Sequence, residues 1–193
     1  ETDGDSVFIV QEYMSGGDLK HRLKAGGVPW DQAVAWMIPV AKAIAFAHQK
    51  DIFHRDLKPA NILLNEHNEP RVGDFGLALH ESERLQHKHE LAGTVPYMSP
   101  EQVRREPHRL DGRSDTWSLG VIFYELLTGR RPFRGTEEEL FEQIKYHDPR
   151  PPRELKPDLP PELERICLRC LARPVALRYS SARDLAQDLC SWQ

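Results

Sequence analysis

The sequence predicts a single α+β domain that is mainly helical and has a few short strands around its loops. Apolar residues recur at helical spacing over 30–50, and further helical patterns follow at 115–128, 136–146, 161–171 and 181–190. Between the first two helical patterns, only short apolar segments such as Ile62–Leu64 stand between turn residues. The region 51–101 is therefore predicted to consist of loops and short hairpins, where functional residues usually lie.

Two further segments complete the predicted order of elements. Residues 6–14 have the β-branched and aromatic content of a buried strand, and the SGGD at 15–18 ends the strand and supplies a helix N-cap. Near the other end, the proline-rich stretch 149–161 joins two helical patterns, which predicts a rigid connector inside the domain.

Length and charge exclude several classes of protein. A chain of 193 residues with 39% hydrophobic content can bury one core and predicts one globular unit. The formal net charge of −4 and the scattered basic residues argue against binding to nucleic acid. No stretch approaches the roughly 18 apolar residues of a membrane span, so this segment is expected to make no membrane contact.

The cysteines and the first residues bear on the compartment. Cys167, Cys170 and Cys190 are odd in number and lack the spacing of a disulfide framework, which favours a reducing, cytoplasmic setting, although the parent protein could be membrane-anchored. The first ten residues are acidic where a signal peptide would be basic. Because the sequence starts at Glu1, within a strand-like pattern, we expect a fragment of a longer product.

The segment that carries chemistry is HRDLKPAN, residues 54–61, followed by DFG from Asp74. Transfer of a phosphoryl group needs a carboxylate to position the attacking hydroxyl and metal ligands to neutralise the phosphates. Asp56 would accept the proton of the hydroxyl. Asn61 and Asp74 offer the oxygen ligands that Mg²⁺ prefers, with Mn²⁺ as an alternative cation.

With these motifs the sequence resembles the protein kinase family, from Val7 to about Leu189. Besides HRDLKPAN and DFGLA, the resemblance rests on GTVPYMSPE from Gly93, SDTWSLGVIFYELLTGRRPF from Ser114, and ALRYSSARDLAQDL near the end, all in family order. The residues in these motifs are similar to those of bacterial serine/threonine kinases. The resemblance implies a protein-kinase-like fold and a mainly helical C-terminal lobe, with short hairpins around the catalytic loop.

The resemblance also implies roles for the neighbours of Asp56. Lys58 is the residue that serine/threonine kinases carry at this place, where it neutralises the γ-phosphate and orients Asp56. Thr94 would hydrogen-bond to both side chains. Three further residues are implied to be structural: Asp115 would bind the backbone of the catalytic loop, and Glu101 would pair with Arg178.

Regulation is predicted in the activation segment. Arg55 precedes the catalytic aspartate, and kinases of this kind commonly need a loop phosphate to neutralise that arginine. Between Gly76 and Gly93 the only hydroxyl belongs to Ser82, which we therefore expect to be the phosphosite. Thr94 is the second possibility, although phosphorylation there would conflict with its structural role.

The ATP site is assigned by the same resemblance. Gln11 takes the gatekeeper position, Glu12 and Met14 offer hinge backbone groups to adenine, and Leu63 lies beneath the ring. Asp18 would reach the ribose.

Part of the family pattern is missing from the sequence given. Residues 1–14 correspond to the end of the N-terminal lobe and the hinge, and 15–193 to the C-terminal lobe. The glycine-rich loop, the lysine that holds the α- and β-phosphates and its glutamate partner would precede Val7. We therefore expect negligible activity from these residues alone and ordinary activity from the parent protein.

Three functions are compared at this point. The first is an ATP- and Mg²⁺-dependent protein kinase that acts on serine and threonine hydroxyls of proteins. The second is a pseudokinase that serves as a docking module, against which the intact catalytic motifs argue. The third is a small-molecule phosphotransferase, which the GTVPYMSPE and WSLG segments disfavour because they build a floor for peptide docking. The oligomeric state is not predicted.

Overall fold

The computed structural model describes residues 2–3, 6–7, 12–24, 28–75, 79–80, 94–106 and 110–193. Its helices are α1 (Leu19–Lys24), α2 (Trp30–His48), α3 (Pro100–Val103), α4 (Gly112–Thr128), α5 (Glu137–Tyr146), α6 (Pro152–Leu155), α7 (Pro161–Cys170) and α8 (Ala182–Trp192). Single 3₁₀ turns lie at Pro59–Asn61, Val95–Tyr97 and Val175–Leu177. The described part is thus mainly helical.

The strands form three antiparallel pairs. β1 (Thr2–Asp3) pairs with β2 (Ser6–Val7), β3 (Ile52–Phe53) with β6 (Leu79–His80), and β4 (Ile62–Leu64) with β5 (Pro70–Val72). In the last pair Ile62 lies opposite Val72, so the start of β4 and the end of β5 meet at the same end of the hairpin. The residues just outside that end, on both sides, belong to the catalytic motifs.

The core is built around α2 and α4. Helix α2 packs against α8 and α4, and α4 also packs against α7. Nearly all of α4 is buried, including Trp117, Phe123 and Tyr124, so it forms the central helix of the domain. A helix that is buried on all sides needs apolar residues around its whole circumference, and α4 supplies them from Trp117 onwards.

Helix ends follow from local sequence. The Asp111 carboxylate accepts a hydrogen bond from the Arg113 amide (2.8 Å), which starts α4 three residues earlier than its apolar pattern predicts. Gly129 ends the helix in a left-handed conformation (φ 73°) that favours glycine. Thr136 and Ser181 begin α5 and α8 with capping boxes, as their spacing to an acidic residue three positions later indicates.

Two predicted segments differ in detail from the structure. Of the strand predicted over 6–14, Ser6–Val7 is observed as a strand and residues 12–14 are outside any strand, while 8–11 lie outside the described residues. The connector 149–161 contains a helical turn, α6, because proline at a first helical position needs no backbone donor. Within the described ranges, no helix combines the length and apolar character needed to cross a membrane.

Candidate active site

Three side chains from two separate motifs meet at the catalytic loop. Lys58 Nζ lies 2.5 Å from Asp56 Oδ2, and the Thr94 hydroxyl donates to Asp56 Oδ1 at 2.9 Å. Lys58 Nζ also donates to Thr94 Oγ1 at 3.1 Å. The Asp56 side chain is only 10% exposed, and each of its two oxygens has a hydrogen-bond donor that stabilises its negative charge. The contacts that the resemblance implies for Thr94 are therefore present.

Asn61 and Asp74 flank the hairpin formed by β4 and β5. Asn61 immediately precedes β4, and Gly73, the neighbour of Asp74, donates its amide to the Asn61 carbonyl at 2.9 Å. The Asn61 side-chain amide nitrogen donates to the carbonyl of Asp56 at 3.0 Å. The hairpin thus holds Asn61 beside both the catalytic loop and the backbone next to Asp74.

The donor set fits a magnesium ion. With its amide nitrogen engaged, Asn61 keeps the side-chain oxygen as its remaining polar atom. The Asp74 carboxylate is solvent-exposed and accepts no hydrogen bond from the residues that the structure describes. Asp74 also has φ 56°, a left-handed conformation that is uncommon outside glycine but that aspartate adopts more readily than most residues. Asn61 and Asp74 could therefore hold a hard cation through oxygen.

Helix α4 fixes the backbone of the catalytic loop through Asp115. Its carboxylate accepts hydrogen bonds from the backbone amides of His54 (2.9 Å) and Arg55 (2.8 Å). His48 Nε2 lies 2.8 Å from the same carboxylate. Arg55 has φ 67°, and such a conformation costs on the order of 1–3 kcal/mol unless neighbours hold it. Asp115 provides that support from a buried position.

His54 connects the catalytic loop to the segment that carries Asp74. The fully buried imidazole accepts from the Asp56 amide at Nδ1 (3.4 Å) and, as the Nε2–H tautomer, donates to the Gly73 carbonyl (3.1 Å). Its ring centroid lies 4.6 Å from that of Phe75. The side chain is therefore structural: it joins the catalytic loop to the segment that carries Asp74.

A buried ion pair joins three segments behind the loop. Arg178 donates to both carboxylate oxygens of Glu101, at 2.7 and 2.9 Å, and Ser114 donates to the same carboxylate at 2.8 Å. Burial would raise the pKa of Glu101, but the hydrogen bonds and charge of Arg178 outweigh it and hold that pKa below its usual range. Glu101 is thus ionised and satisfied inside the protein.

Sequence reasoning missed two residues that support the loop. His48 contacts Asp115, and Gln102 donates its side-chain amide to the Arg55 carbonyl at 2.9 Å. Gln102 also completes a capping box with Ser99, and the S-x-x-Q spacing could have identified that cap. No sequence signal links either residue to the loop, because both contacts join distant parts of the chain.

The predicted adenine and ribose residues lie along the start of the chain. Glu12 is exposed, Met14 is half-buried, and Asp18 forms an antiparallel bridge with Leu63. The Asp18 carboxylate caps α1 by accepting from the backbone amide of His21 (2.8 Å) and lies 2.7 Å from its Nδ1. Gln11 and Ser82, predicted as gatekeeper and phosphosite, lie outside the described residues.

Glycine is required where the segment before α1 meets β4. The Gly16 amide donates to the Leu64 carbonyl at 2.9 Å. A Cβ on Gly16 would lie 2.4 Å from the Asn65 carbonyl oxygen and 2.7 Å from that of Leu64. Any side chain would therefore push this segment away from the strand that carries Leu63.

A phenol–carboxylate pair lies in a cleft beside the catalytic loop. The Tyr97 hydroxyl donates to Glu125 Oε2 at 2.8 Å, and Ser118 holds the Tyr97 carbonyl at 2.8 Å. Burial raises the pKa of both Tyr97 and Glu125 above their ordinary values. The cleft has a volume of about 510 Å³, and Lys58 and Thr94 contribute to its wall.

Comparison with known proteins finds relatives that match nearly the whole chain. The serine/threonine-protein kinase PknB of Mycobacterium leprae is 36% identical over 190 residues, which are 96% of this chain and 30% of that protein. The serine/threonine-protein kinase PrkC of Bacillus subtilis is 36% identical over 191 residues (97% and 29%). The probable serine/threonine-protein kinase CE0033 of Corynebacterium efficiens is 39% identical over 202 residues (98% and 30%).

The matches cover nearly the whole of this chain but only part of each relative. It spans about 30% of the length of these curated relatives. The family model described as "Protein kinase domain" matches residues 1–191. Since that match covers nearly the whole sequence, the chain belongs to the protein kinase family.

Proposed function

We propose that the protein containing this chain is an ATP-dependent serine/threonine protein kinase. The observation that carries the proposal is the contact of Lys58 and Thr94 with both oxygens of Asp56, next to Asn61. This arrangement would position the Asp56 carboxylate against an incoming substrate hydroxyl, with the Lys58 ammonium group beside it. The relatives are named as serine/threonine-protein kinases, which supports the enzyme and gives no support to the pseudokinase alternative.

Each side chain has a distinct part in the proposed reaction. Asp56 orients the serine or threonine hydroxyl and takes its proton, and Thr94 keeps that carboxylate in place. Lys58 places its positive charge where negative charge develops on the transferred phosphoryl group. Asn61 and Asp74 would hold Mg²⁺ or Mn²⁺, which would supply positive charge next to the phosphate oxygens.

The nucleotide and domain assignments belong to the same proposal. Residues 1–14 would end the N-terminal lobe and form the hinge, and 15–193 would form the C-terminal lobe. Glu12 and Met14 would contact adenine, Leu63 would lie beneath it, and Asp18 would contact the ribose while it caps α1. Gly16 supports this assignment because its close approach holds the segment that follows the proposed hinge against the strand of Leu63.

Partners, compartment and regulation follow from the proposed chemistry. The substrates would be proteins with accessible serine or threonine, and the scattered basic residues disfavour nucleic acid. The free thiols of Cys167, Cys170 and Cys190 favour the cytoplasm for this domain, whether or not the parent protein is anchored. Ser82 remains the proposed phosphosite, and phosphopeptide mapping of an active preparation tests it.

Transfer of γ-phosphate from Mg-ATP to a generic serine/threonine protein substrate tests the function. We expect the full-length product of the gene to be active and its Asp56→Asn variant to lose activity by at least about a hundredfold, because the amide cannot take the proton. Asp158→Asn, at an exposed position, is the matched control and should retain full activity. A parent that is inert with both Mg²⁺ and Mn²⁺ after activation would favour the docking module instead.

A further inference from the structure

The cleft beside the catalytic loop, which we call the acceptor-side cleft, is formed by five segments. Its wall includes Lys20 and Lys24 of α1, Lys58, Thr94 and Tyr97, Glu125 of α4 and Arg131. Because Lys58 also contacts Asp56, the cleft opens directly beside the carboxylate proposed to receive the substrate hydroxyl. Its volume of about 510 Å³ is typical of pockets that bind small ligands or peptide side chains.

The basic side chains of this cleft differ in whether they already form an ion pair with an acidic residue. Lys58 is paired with Asp56 at 2.5 Å. Lys20, Lys24 and Arg131 form no ion pair within 4.0 Å among the residues that the structure describes. Lys20 and Lys24 are exposed and lie one helical turn apart on the same helix, so both ammonium groups can reach a ligand in the cleft.

The carboxylate in the described wall is already engaged. Glu125 accepts a hydrogen bond from the Tyr97 hydroxyl at 2.8 Å, and both side chains are half-buried in the cleft wall. Burial raises the pKa of Glu125, and the nearby charge of Arg131 opposes that shift in part. The described wall therefore presents the exposed Lys20 and Lys24, together with Arg131, against one hydrogen-bonded carboxyl group.

We propose that the acceptor-side cleft binds acidic residues that flank the phosphorylated serine or threonine of the protein substrate. This inference rests on the proposed kinase function and names the substrate class of the same site. Aspartate or glutamate side chains beside the acceptor would meet Lys20, Lys24 and Arg131, whereas basic side chains would be repelled. The contacts exist before and during transfer, so the preference acts mainly on KM.

The experiment compares two peptides that share one acceptor serine and differ in their flanking residues, aspartates in one and lysines in the other. With the full-length protein, we expect kcat/KM to be roughly tenfold higher for the acidic peptide, since each exposed pair contributes modestly. The preference should shrink when salt rises from about 50 mM to about 500 mM, because salt screens exposed charges. Equal rates, or a preference for the lysine peptide, would overturn the inference while leaving the kinase function intact.

Charge reversal locates the effect. The triple variant Lys20→Glu, Lys24→Glu, Arg131→Glu should lose the acidic preference. The matched control reverses two lysines and one arginine at exposed positions outside the cleft wall: Lys42→Glu, Lys156→Glu and Arg183→Glu. The control should keep the preference; if both triple variants behave alike, the cleft is not the binding site.

Direct binding separates this inference from the proposed activity. If no peptide is phosphorylated, the kinase proposal fails, and fluorescence anisotropy with the same labelled peptides still tests the cleft. Tighter binding of the acidic peptide that is lost only in the cleft variant supports the inference. Equal binding of the two peptides, or binding that is unaffected by the cleft variant, rejects it.

Discussion

At the scale of single residues, Thr94 shows how one hydroxyl can align two charged side chains. It donates to Asp56 at 2.9 Å and accepts from Lys58 at 3.1 Å, so both charges depend on the position of one oxygen. The ion pair alone could rotate, because Lys58 has a long side chain with many rotamers. The third contact restricts that rotation.

Removing this hydroxyl should therefore reduce catalysis more than ATP binding. In the full-length protein, we expect Thr94→Val to lower kcat for peptide phosphorylation on the order of tenfold to a hundredfold, because small displacements of reacting groups have effects of that size. Thr94→Ser keeps the hydroxyl and should retain most of the activity. Steady-state kinetics at saturating ATP measures both, and an unimpaired valine variant would contradict the positioning role.

At the scale of elements, the Glu101–Arg178 pair connects α3 to the segment before α8 and, through Ser114, to α4. Arg178 also donates to the carbonyls of Ala172 (2.7 Å) and Arg113 (3.1 Å). Both charged side chains are almost completely buried. Because a buried charge without its partner is strongly destabilising, the three segments depend on each other.

Substitution of Glu101 tests this dependence. We expect Glu101→Gln to lower the free energy of unfolding by about 3–5 kcal/mol at pH 7, since Arg178 would remain buried without a counter-charge. Urea unfolding followed by tryptophan fluorescence measures the loss. Glu162→Gln, which removes an exposed partner of Arg165, is the control and should change the stability far less.

The same pair predicts a pH dependence. Because the folded-state pKa of Glu101 lies below its ordinary value of 4.5, its ionised form stabilises the protein above that pH. The stabilisation is lost as pH falls through the folded-state pKa. The difference between wild type and Glu101→Gln should therefore be largest near neutrality and decline below about pH 4.5. A difference that stays constant down to pH 3 would contradict this assignment.

At the scale of the whole molecule, elements with a clear apolar pattern were predictable and the shortest ones were not. The helix predicted over 30–50 is observed at Trp30–His48, because a segment of this length repeats its apolar period several times. The short apolar segment Ile62–Leu64 was also predicted, and it forms strand β4 of a hairpin. β1 and β2 have two residues each, too few to show any period, and residues 12–14 of the strand predicted over 6–14 lie outside any strand. The helical turn α6 was not predicted, because the prolines around it indicated an extended connector.

The candidate site was predictable only where residues stand in recognisable motifs. Asp56, Lys58 and Thr94 could be placed together by resemblance, and the structure brings them into contact. His48 and Gln102 belong to no such spacing, because their partners are fixed by the packing of α2, α3 and α4. The roles of the motif residues in catalysis stay predictions until activity is measured.

The buried pair behind the loop also has a consequence for the rates of folding and unfolding. Glu101 and Arg178 are 77 residues apart in sequence, and contacts of such separation require closure of a long loop before they can form. We therefore expect the pair to form after the folding transition state. Its loss should leave the folding rate nearly unchanged and speed unfolding by about two to four orders of magnitude, measurable by stopped-flow dilution into urea. In that case this ion pair determines how long a folded kinase domain persists, and a slower folding rate in Glu101→Gln would show instead that it helps to start the fold.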